Sequence, residues 1–147
     1  MKIAIVAYPD ALKSAVYGLE EIFLLANNLC QEQGLTTHFE IDVLGLADLK
    51  AAASDSVYTA VILPPSMESH FYLTPETALT TWLTHRHHAG SILCSACAGA
   101  FIIAATGLLD NREATTHWKL VNALREHYPK IKLKPDKITI NDGDIIT

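Results

Sequence analysis

A cysteine at a predicted strand-to-helix turn is the residue best placed to do chemistry in this chain. Cys97 follows the short apolar run Ser91–Ser95, and small apolar residues continue behind it as far as Gly107. The pattern predicts a buried strand, a sharp turn at Cys97 and a helix that begins near Ala98. Such a nucleophile elbow lifts the sulfur out of the sheet, and the N–H groups of a helix N-terminus favour the thiolate. We therefore interpret Cys97 as a nucleophile or a sensor thiol.

Two other clusters of reactive side chains are weaker candidates, one for a disulfide and one for a metal site. Cys94 and Cys97 form a C-x-x-C pair. Because Cys94 lies in the predicted strand and Cys97 lies beyond its end, the two are roughly 10 Å apart, which is too far for a disulfide unless the turn folds back. His85 and His88 share a helix face without a carboxylate or cysteine to complete a metal site. The sequence therefore predicts no metal and no cofactor.

Bulk properties narrow the class of protein. The chain has 147 residues, is 50% hydrophobic and carries a formal net charge of −5, which predicts one domain over residues 1–147 with a substantial core. Its basic residues are scattered, so a nucleic-acid-binding surface is not expected within it. The apolar segment Met1–Ala7 is too short for a signal peptide, and no apolar run is long enough to span a membrane. An odd number of cysteines, three, is typical of free thiols in a reducing compartment. We expect a cytoplasmic protein.

The alternation of strands and helices predicts a doubly wound α/β domain with a mostly parallel sheet and helices on both faces. Strands are predicted at Lys2–Tyr8, Thr37–Leu44, Val57–Leu63 and Ser91–Ser95, with short ones at Glu113–Thr116, Ile131–Leu133, Ile138–Ile140 and Ile145–Ile146. Helices are predicted at Lys13–Gln33, from Thr74 to His88, behind Cys97 and at His117–His127. The first helix should bury one stripe: Val16, Leu19, Ile22, Phe23, Ala26 and Leu29.

Two motifs carry a family resemblance. Cys97-Ala-Gly-Ala-Phe101 and Gly107-Leu-Leu-Asp-Asn-Arg-Glu-Ala-Thr-Thr-His-Trp118 resemble the DJ-1/PfpI superfamily, which is class I glutamine amidotransferase-like. The chain is most similar to the N-terminal domain of AraC-family transcriptional regulators, from its first strand to Thr147. The resemblance implies a flavodoxin-like fold. It also implies a long final helix after Thr147, so we expect a C-terminally truncated domain that lacks this helix and any helix-turn-helix domain.

Departures from the family pattern bear on catalysis. Superfamily enzymes place a carboxylate at the start of the first helix, where this chain has Ser14 or Ala15. A general acid or base is worth about 10²–10⁴ in rate, so its loss argues against turnover. The histidine that follows the nucleophile in peptidase-like members is Ala98 here. His117 of the Thr-Thr-His motif remains a possible base, or a residue bonded to the backbone at the start of a helix.

The expected oxyanion hole is altered as well. The family carries Pro-Gly-Gly after the third strand, whereas this chain has Pro64-Pro65-Ser66. Pro65 has no N–H to donate, which leaves the N–H groups of Ser66 and Ala98 as possible donors. The resemblance thus implies an oxyanion or ligand pocket near Cys97, with these lining residues: Ser14, Tyr17, Ser66, Ala98 and Gly99.

Two functions from different classes fit these observations. The first is a ligand-sensing or oligomerisation domain of an AraC-like regulator without turnover, which binds a small polar effector, forms a homodimer and reaches DNA only through a domain absent from this chain. The second is a stand-alone cysteine enzyme, such as a hydratase, a glyoxalase-type deglycase or a hydrolase, that uses Cys97. Reversible oxidation of Cys97 in a redox sensor is a third hypothesis.

Overall fold

The structure, a computed structural model, describes residues 1–49, 57–67 and 71–147. Its central sheet has five parallel strands in the order β2-β1-β3-β4-β7, and β5 pairs with β6 separately. The strands are β1 Lys2–Val6, β2 Glu40–Leu44, β3 Ala60–Leu63, β4 Ile92–Ser95, β5 Glu113–Ala114, β6 Lys132–Leu133 and β7 Ile145–Ile146. The helices are α1 Lys13–Glu32, α2 Thr77–His88, α3 Gly99–Ala104 and α4 Val121–His127. The predicted doubly wound α/β fold is confirmed.

The strand register sorts the side chains of the sheet onto two faces. Residues paired across parallel strands point to the same side, and neighbours along a strand point to opposite sides. One row across the sheet is Ala4, Val61, Leu93 and Ile145, and the row on the other side is Ile5, Ile62, Cys94 and Ile146. The first row is fully buried, whereas Ile62, Cys94 and Ile146 are only partly buried.

The buried row belongs to the core between the sheet and the helices α2 and α3. Phe101 of α3 is completely buried there, and the ring of Tyr72 meets it edge-on at 4.8 Å between centroids. Tyr58 and Trp82 close the core on the α2 side. Further buried members are Leu79, Leu83, Ile102, Ile103, Leu109 and Leu124. We call this side of the sheet the closed face.

The opposite side, which we call the open face, carries α1 alone among the described helices. α1 contacts β1 and β2, and Val16 is its one buried residue. The predicted buried stripe is therefore wrong for Ile22 and Leu29, which are 62% and 55% exposed. The physical reason is that α1 lies mainly over two strands of a five-strand sheet, so the described residues leave one flank of the predicted stripe exposed.

Several element boundaries differ from the prediction because turns compete with the regular elements. α2 begins at Thr77, not near Thr74, since a 3₁₀ turn at Phe71–Leu73 comes first and the Thr74 N–H donates to Phe71 O. The predicted helix at His117–His127 is a 3₁₀ turn, Trp118–Leu120, followed by α4. No strand forms at Ile138–Ile140, although Ile140 exchanges two backbone hydrogen bonds with Thr147.

The turn before β7 is held by charge. Gly143 adopts a φ of 85°, and its N–H donates to Asn141 Oδ1. The Arg112 guanidinium binds the carboxylates of both Asp142 and Asp144, which fixes the turn against the chain ahead of β5. This arginine lowers the pKa of Asp144 to about 2. None of the helices in the described ranges is both long enough and apolar enough to cross a membrane.

Candidate functional site

The predicted elbow forms between β4 and α3, with Cys97 at its apex. Cys97 has a φ of 57°, a left-handed conformation that is unfavourable for a residue with a side chain. Two hydrogen bonds hold the turn in place: the Ala96 N–H donates to Leu63 O at 3.0 Å, and Thr116 Oγ1 donates to Cys97 O at 2.7 Å. The conformation is thus imposed by β3 from one side and by the Thr-Thr-His motif from the other.

Close contact behind the elbow explains why a glycine follows it. A Cβ added to Gly99 would lie 2.6 Å from Leu63 O and 3.1 Å from Leu63 Cβ. The first distance is shorter than real Cβ atoms show, and the second is tighter than nine in ten real Cβ contacts. The absence of a side chain at Gly99 therefore lets α3 start directly against β3.

The sulfur of Cys97 is half-buried in a setting that favours the neutral thiol. Burial raises its pKa above the ordinary value of 9.0, and a hydrogen bond from the Ala98 N–H offsets only part of that effect. The N–H at the start of the helix thus favours the thiolate, as expected, but burial outweighs it and the net effect on the pKa is upward. α3 has only six residues, and one N–H group does not outweigh the loss of hydration.

Two tyrosines that the sequence analysis missed lie near this sulfur. Burial raises the pKa values of both Tyr8 and Tyr72, and the charge of a Cys97 thiolate would raise them further. Tyr8 donates from its hydroxyl to Pro64 O at 2.5 Å and stacks on Phe71. The sequence held one signal for Tyr8, because it follows β1 at the same carboxyl edge of the sheet as Cys97. Tyr72 had no such signal.

The expected acid is absent from the first helix, and the possible base contacts the backbone. The first turn of α1 contains no acidic residue, and Ser14 is exposed there. His117 is exposed at the start of the Trp118–Leu120 turn, where its ring nitrogen Nδ1 accepts from the Lys119 N–H at 3.3 Å. The structure thus gives His117 a contact with the backbone, and its role as a base stays a prediction.

The predicted pocket residues are distributed over three places. Ala98 and Gly99 are buried in the elbow. Ser66 Oγ donates to Asp10 O at 2.9 Å, which joins the end of β3 to the turn before α1. Tyr17 lines a cleft of about 550 Å³ at the carboxyl ends of β1 and β2. Tyr8 also lines this cleft and so connects it to the Cys97 site.

The remaining sequence clusters show no assembled site. Cys30, Cys94 and Cys97 are all free thiols. Nδ1 of His85 lies 3.3 Å from the Arg86 guanidinium. In the part of the chain that the structure describes, no group of three His, Cys, Asp or Glu side chains could hold a metal ion.

Comparison with known proteins agrees with this geometry. The chain is 32% identical over 104 residues to the HTH-type transcriptional regulator GlxA of Rhizobium meliloti, which covers 71% of this chain and 31% of the relative. It is 37% identical over 70 residues to the HTH-type transcriptional regulator CdhR of Pseudomonas aeruginosa, which covers 48% of this chain and 20% of the relative. The chain therefore spans a third or less of these curated relatives.

A solved structure shares the fold at low sequence identity. The crystal structure of an AraC family transcriptional regulator from Pseudomonas putida superimposes with a TM-score of 0.74 at 15% identity, over 99% of this chain and 81% of that one. Residues 26–147 match the DJ-1/PfpI family. With its parallel sheet and its cysteine elbow at Cys97, the chain belongs to the DJ-1/PfpI family.

Proposed function

We propose that this chain is the ligand-sensing or oligomerisation domain of an AraC-type transcriptional regulator, and that its Cys97 site does not turn over a substrate. The observation that carries the proposal is the setting of the sulfur. Burial raises the pKa of Cys97, the influence that opposes burial is the backbone N–H of Ala98, and the first turn of α1 carries no carboxylate. The names of CdhR and GlxA, both HTH-type transcriptional regulators, support the same function.

The effector in this proposal is a small polar molecule that binds at the carboxyl ends of the strands, where open parallel sheets bind ligands. The cleft beside Tyr17 offers about 550 Å³ there, with Asp10 and Lys13 in its lining, and the ordinary volume of a small-molecule site falls in this range. Binding would reach Cys97 through Tyr8. The effector would change self-association into a homodimer, and DNA would be contacted by a helix-turn-helix domain outside the matched region.

A ligand screen with a matched pair of variants tests this proposal. A small polar effector should raise the melting temperature of the chain, and Tyr17→Ala should abolish the rise, since Tyr17 is 60% exposed and not needed for folding. Leu24→Ala, another exposed position on α1, is the control and should keep the rise. Failure to find either a ligand or a dimer by thermal shift and sedimentation would overturn the proposal.

A specific observation also favours the second candidate, a stand-alone cysteine enzyme. The left-handed conformation of Cys97, with the Ala98 N–H on its sulfur, is the kind of strain that active sites store. A hydratase, a glyoxalase-type deglycase or a hydrolase would turn over isocyanides, 2-oxoaldehydes or amides, and the activity would vanish in Cys97→Ser. Such a result would replace the sensing function with the enzymatic one.

A further inference from the structure

A tyrosine hydroxyl beside the Cys97 site has no hydrogen-bond partner within the described part of the chain. Tyr72 is 6% exposed, and its ring packs edge-on against Phe101 at 4.8 Å between centroids. Its hydroxyl makes no hydrogen bond to a described residue, yet it is not one of the unpartnered polar atoms that protein fully encloses. Because a largely buried donor without an acceptor costs free energy, this hydroxyl marks a place that a ligand can complete.

The turn that carries Tyr72 also contacts Tyr8, and both hydroxyls lie close to Cys97. Phe71, the first residue of this 3₁₀ turn, stacks on the ring of Tyr8 at 5.7 Å between centroids. A negative charge on the Cys97 sulfur would act on both hydroxyls, and Tyr8 also senses the charges of Tyr72 and Asp10. We call Tyr8 and Tyr72 the tyrosine pair.

The tyrosine pair offers a ligand opposite hydrogen-bonding roles. Tyr8 donates its hydrogen to Pro64 O at 2.5 Å, so its oxygen is left to accept, whereas Tyr72 keeps its hydrogen to donate. Both hydroxyls stay uncharged because burial raises the pKa of each. A carboxylate only accepts and an ammonium only donates, whereas an alcohol hydroxyl does both on a single atom. A single atom suits this place, since the two tyrosines are only 3% and 6% exposed.

The cleft beside Tyr8 has a lining that suits further hydroxyl groups. Tyr8 forms part of the cleft of about 550 Å³ that Asp10, Lys13 and Tyr17 also line. Asp10 accepts hydrogen bonds and Lys13 donates them, and neither forms an ion pair with a described residue. The ring of Tyr17 is 60% exposed and offers an aromatic surface to the C–H face of a carbon skeleton. The two opposite charges cancel, so the lining favours a ligand without net charge.

We propose that the effector is an uncharged polyhydroxylated molecule, a polyol or a monosaccharide, and that one of its hydroxyl groups joins Tyr72 to Tyr8 beside Cys97. This inference rests on the proposed sensing function and names the chemical class of its ligand. The carbon skeleton lies on Tyr17 in the cleft, where Asp10 and Lys13 bind the remaining hydroxyl groups. The bound ligand covers the neutral thiol of Cys97 without forming a covalent bond to it.

The test compares uncharged probes with their matched carboxylates on the full chain. Glycerol, xylitol and glucose are the uncharged probes, and glycerate, xylonate and gluconate are their charged relatives. We expect saturable binding of at least one uncharged probe in NMR titrations of carbon-13-labelled tyrosine rings, with shifts at the tyrosine pair and at Tyr17. The matched carboxylate should bind at least about tenfold more weakly, because its charge loses hydration at the tyrosine pair.

A pair of tyrosine variants locates the contact. Tyr72→Phe removes only the hydroxyl and should weaken the binding about tenfold. Tyr128→Phe is the matched control and should bind normally, because its ring also packs edge-on against Phe101, at 6.2 Å between centroids. Bound probe should slow alkylation of Cys97 but not of Cys94, as followed by mass spectrometry. Circular dichroism checks that each variant is folded.

Three outcomes would overturn the proposal: no binding of any uncharged probe, equal binding of a probe and its matched carboxylate, or unchanged binding in Tyr72→Phe. Each differs from a failure of the sensing function. Another small polar molecule that raises the melting temperature of the wild type but not of Tyr17→Ala would leave that function standing with a different class of effector. The absence of both a ligand and a dimer would remove the sensing function itself.

Discussion

The closed and open faces of the sheet differ in how their strand side chains are covered. On the closed face, α2 and α3 lie over β3 and β4, and Val61, Leu93 and Ile145 have 1% exposure or less. On the open face, one strand position away, Ile62 and Cys94 stay partly accessible, and the main strand contacts of α1 are with β1 and β2. The same strands therefore face a packed core on one side and, among the described residues, a less completely covered surface on the other.

This difference shows where the fold is held and where it can interact. The elbow lies on the closed face, so the packed core fixes its geometry. The carbonyl oxygen of Leu63 accepts the hydrogen bond from the Ala96 N–H, and Leu63 also leaves no room for a side chain at Gly99. The open face contributes less to holding that geometry. We therefore expect changes on the closed face to affect stability and the site together, and changes on the open face to affect stability much less.

The largest expected effect separates the faces within a single strand. Leu93→Ala should lower the free energy of unfolding by about 2–5 kcal/mol, since it empties a fully buried position in the closed core. Its neighbour Ile92 points to the open face, and Ile92→Ala should cost about 1 kcal/mol, because less area leaves contact with protein. Urea unfolding of both variants measures the difference. Equal losses would mean that the open face is as well packed as the closed one.

The next effect compares two glycines. Gly99→Ala should destabilise the chain by about 1–3 kcal/mol, because the added methyl group meets Leu63 O in a core that has no space for it. Gly18→Ala on α1 should instead stabilise the chain by about 0.5–1 kcal/mol, since alanine favours the helix and its methyl group points into open space. Thermal unfolding of the pair checks the signs. A stable Gly99→Ala protein would contradict the tight contact between α3 and β3.

Sequence reasoning succeeded where local chemistry decides the structure. The buried strand before Cys97 and the sharp turn at that cysteine each have a local cause, and both were predicted. The predictions were wrong where burial depends on contacts with residues far along the chain. Periodicity marked Ile22 and Leu29 as buried, but periodicity does not show how many strands a helix covers. Likewise, the pKa of Cys97 depends on burial by distant segments, which outweighs the short helix behind it.

The smallest expected effect is the dependence of the free energy of unfolding on alkaline pH, which tests whether the closed face buries the Cys97 thiol. The pKa of Cys97 is raised by burial in the folded chain, so the folded state holds the thiol proton more tightly than the unfolded state, whose ordinary value is 9.0. The tighter binding of this proton stabilises the folded chain fully below pH 9.0. The stabilisation is lost as the pH rises from 9.0 through the higher pKa of the folded state. The free energy of unfolding, measured in urea with a reductant, should therefore fall from pH 9 upward, with buried Tyr8 adding to the fall.

In Cys97→Ala the fall should be shallower, whereas Ser14→Ala, which removes no titrating group, should reproduce the wild-type slope. An unchanged slope in Cys97→Ala would show that the sulfur is as well hydrated in the folded chain as in the unfolded one, and that the elbow does not bury its thiol.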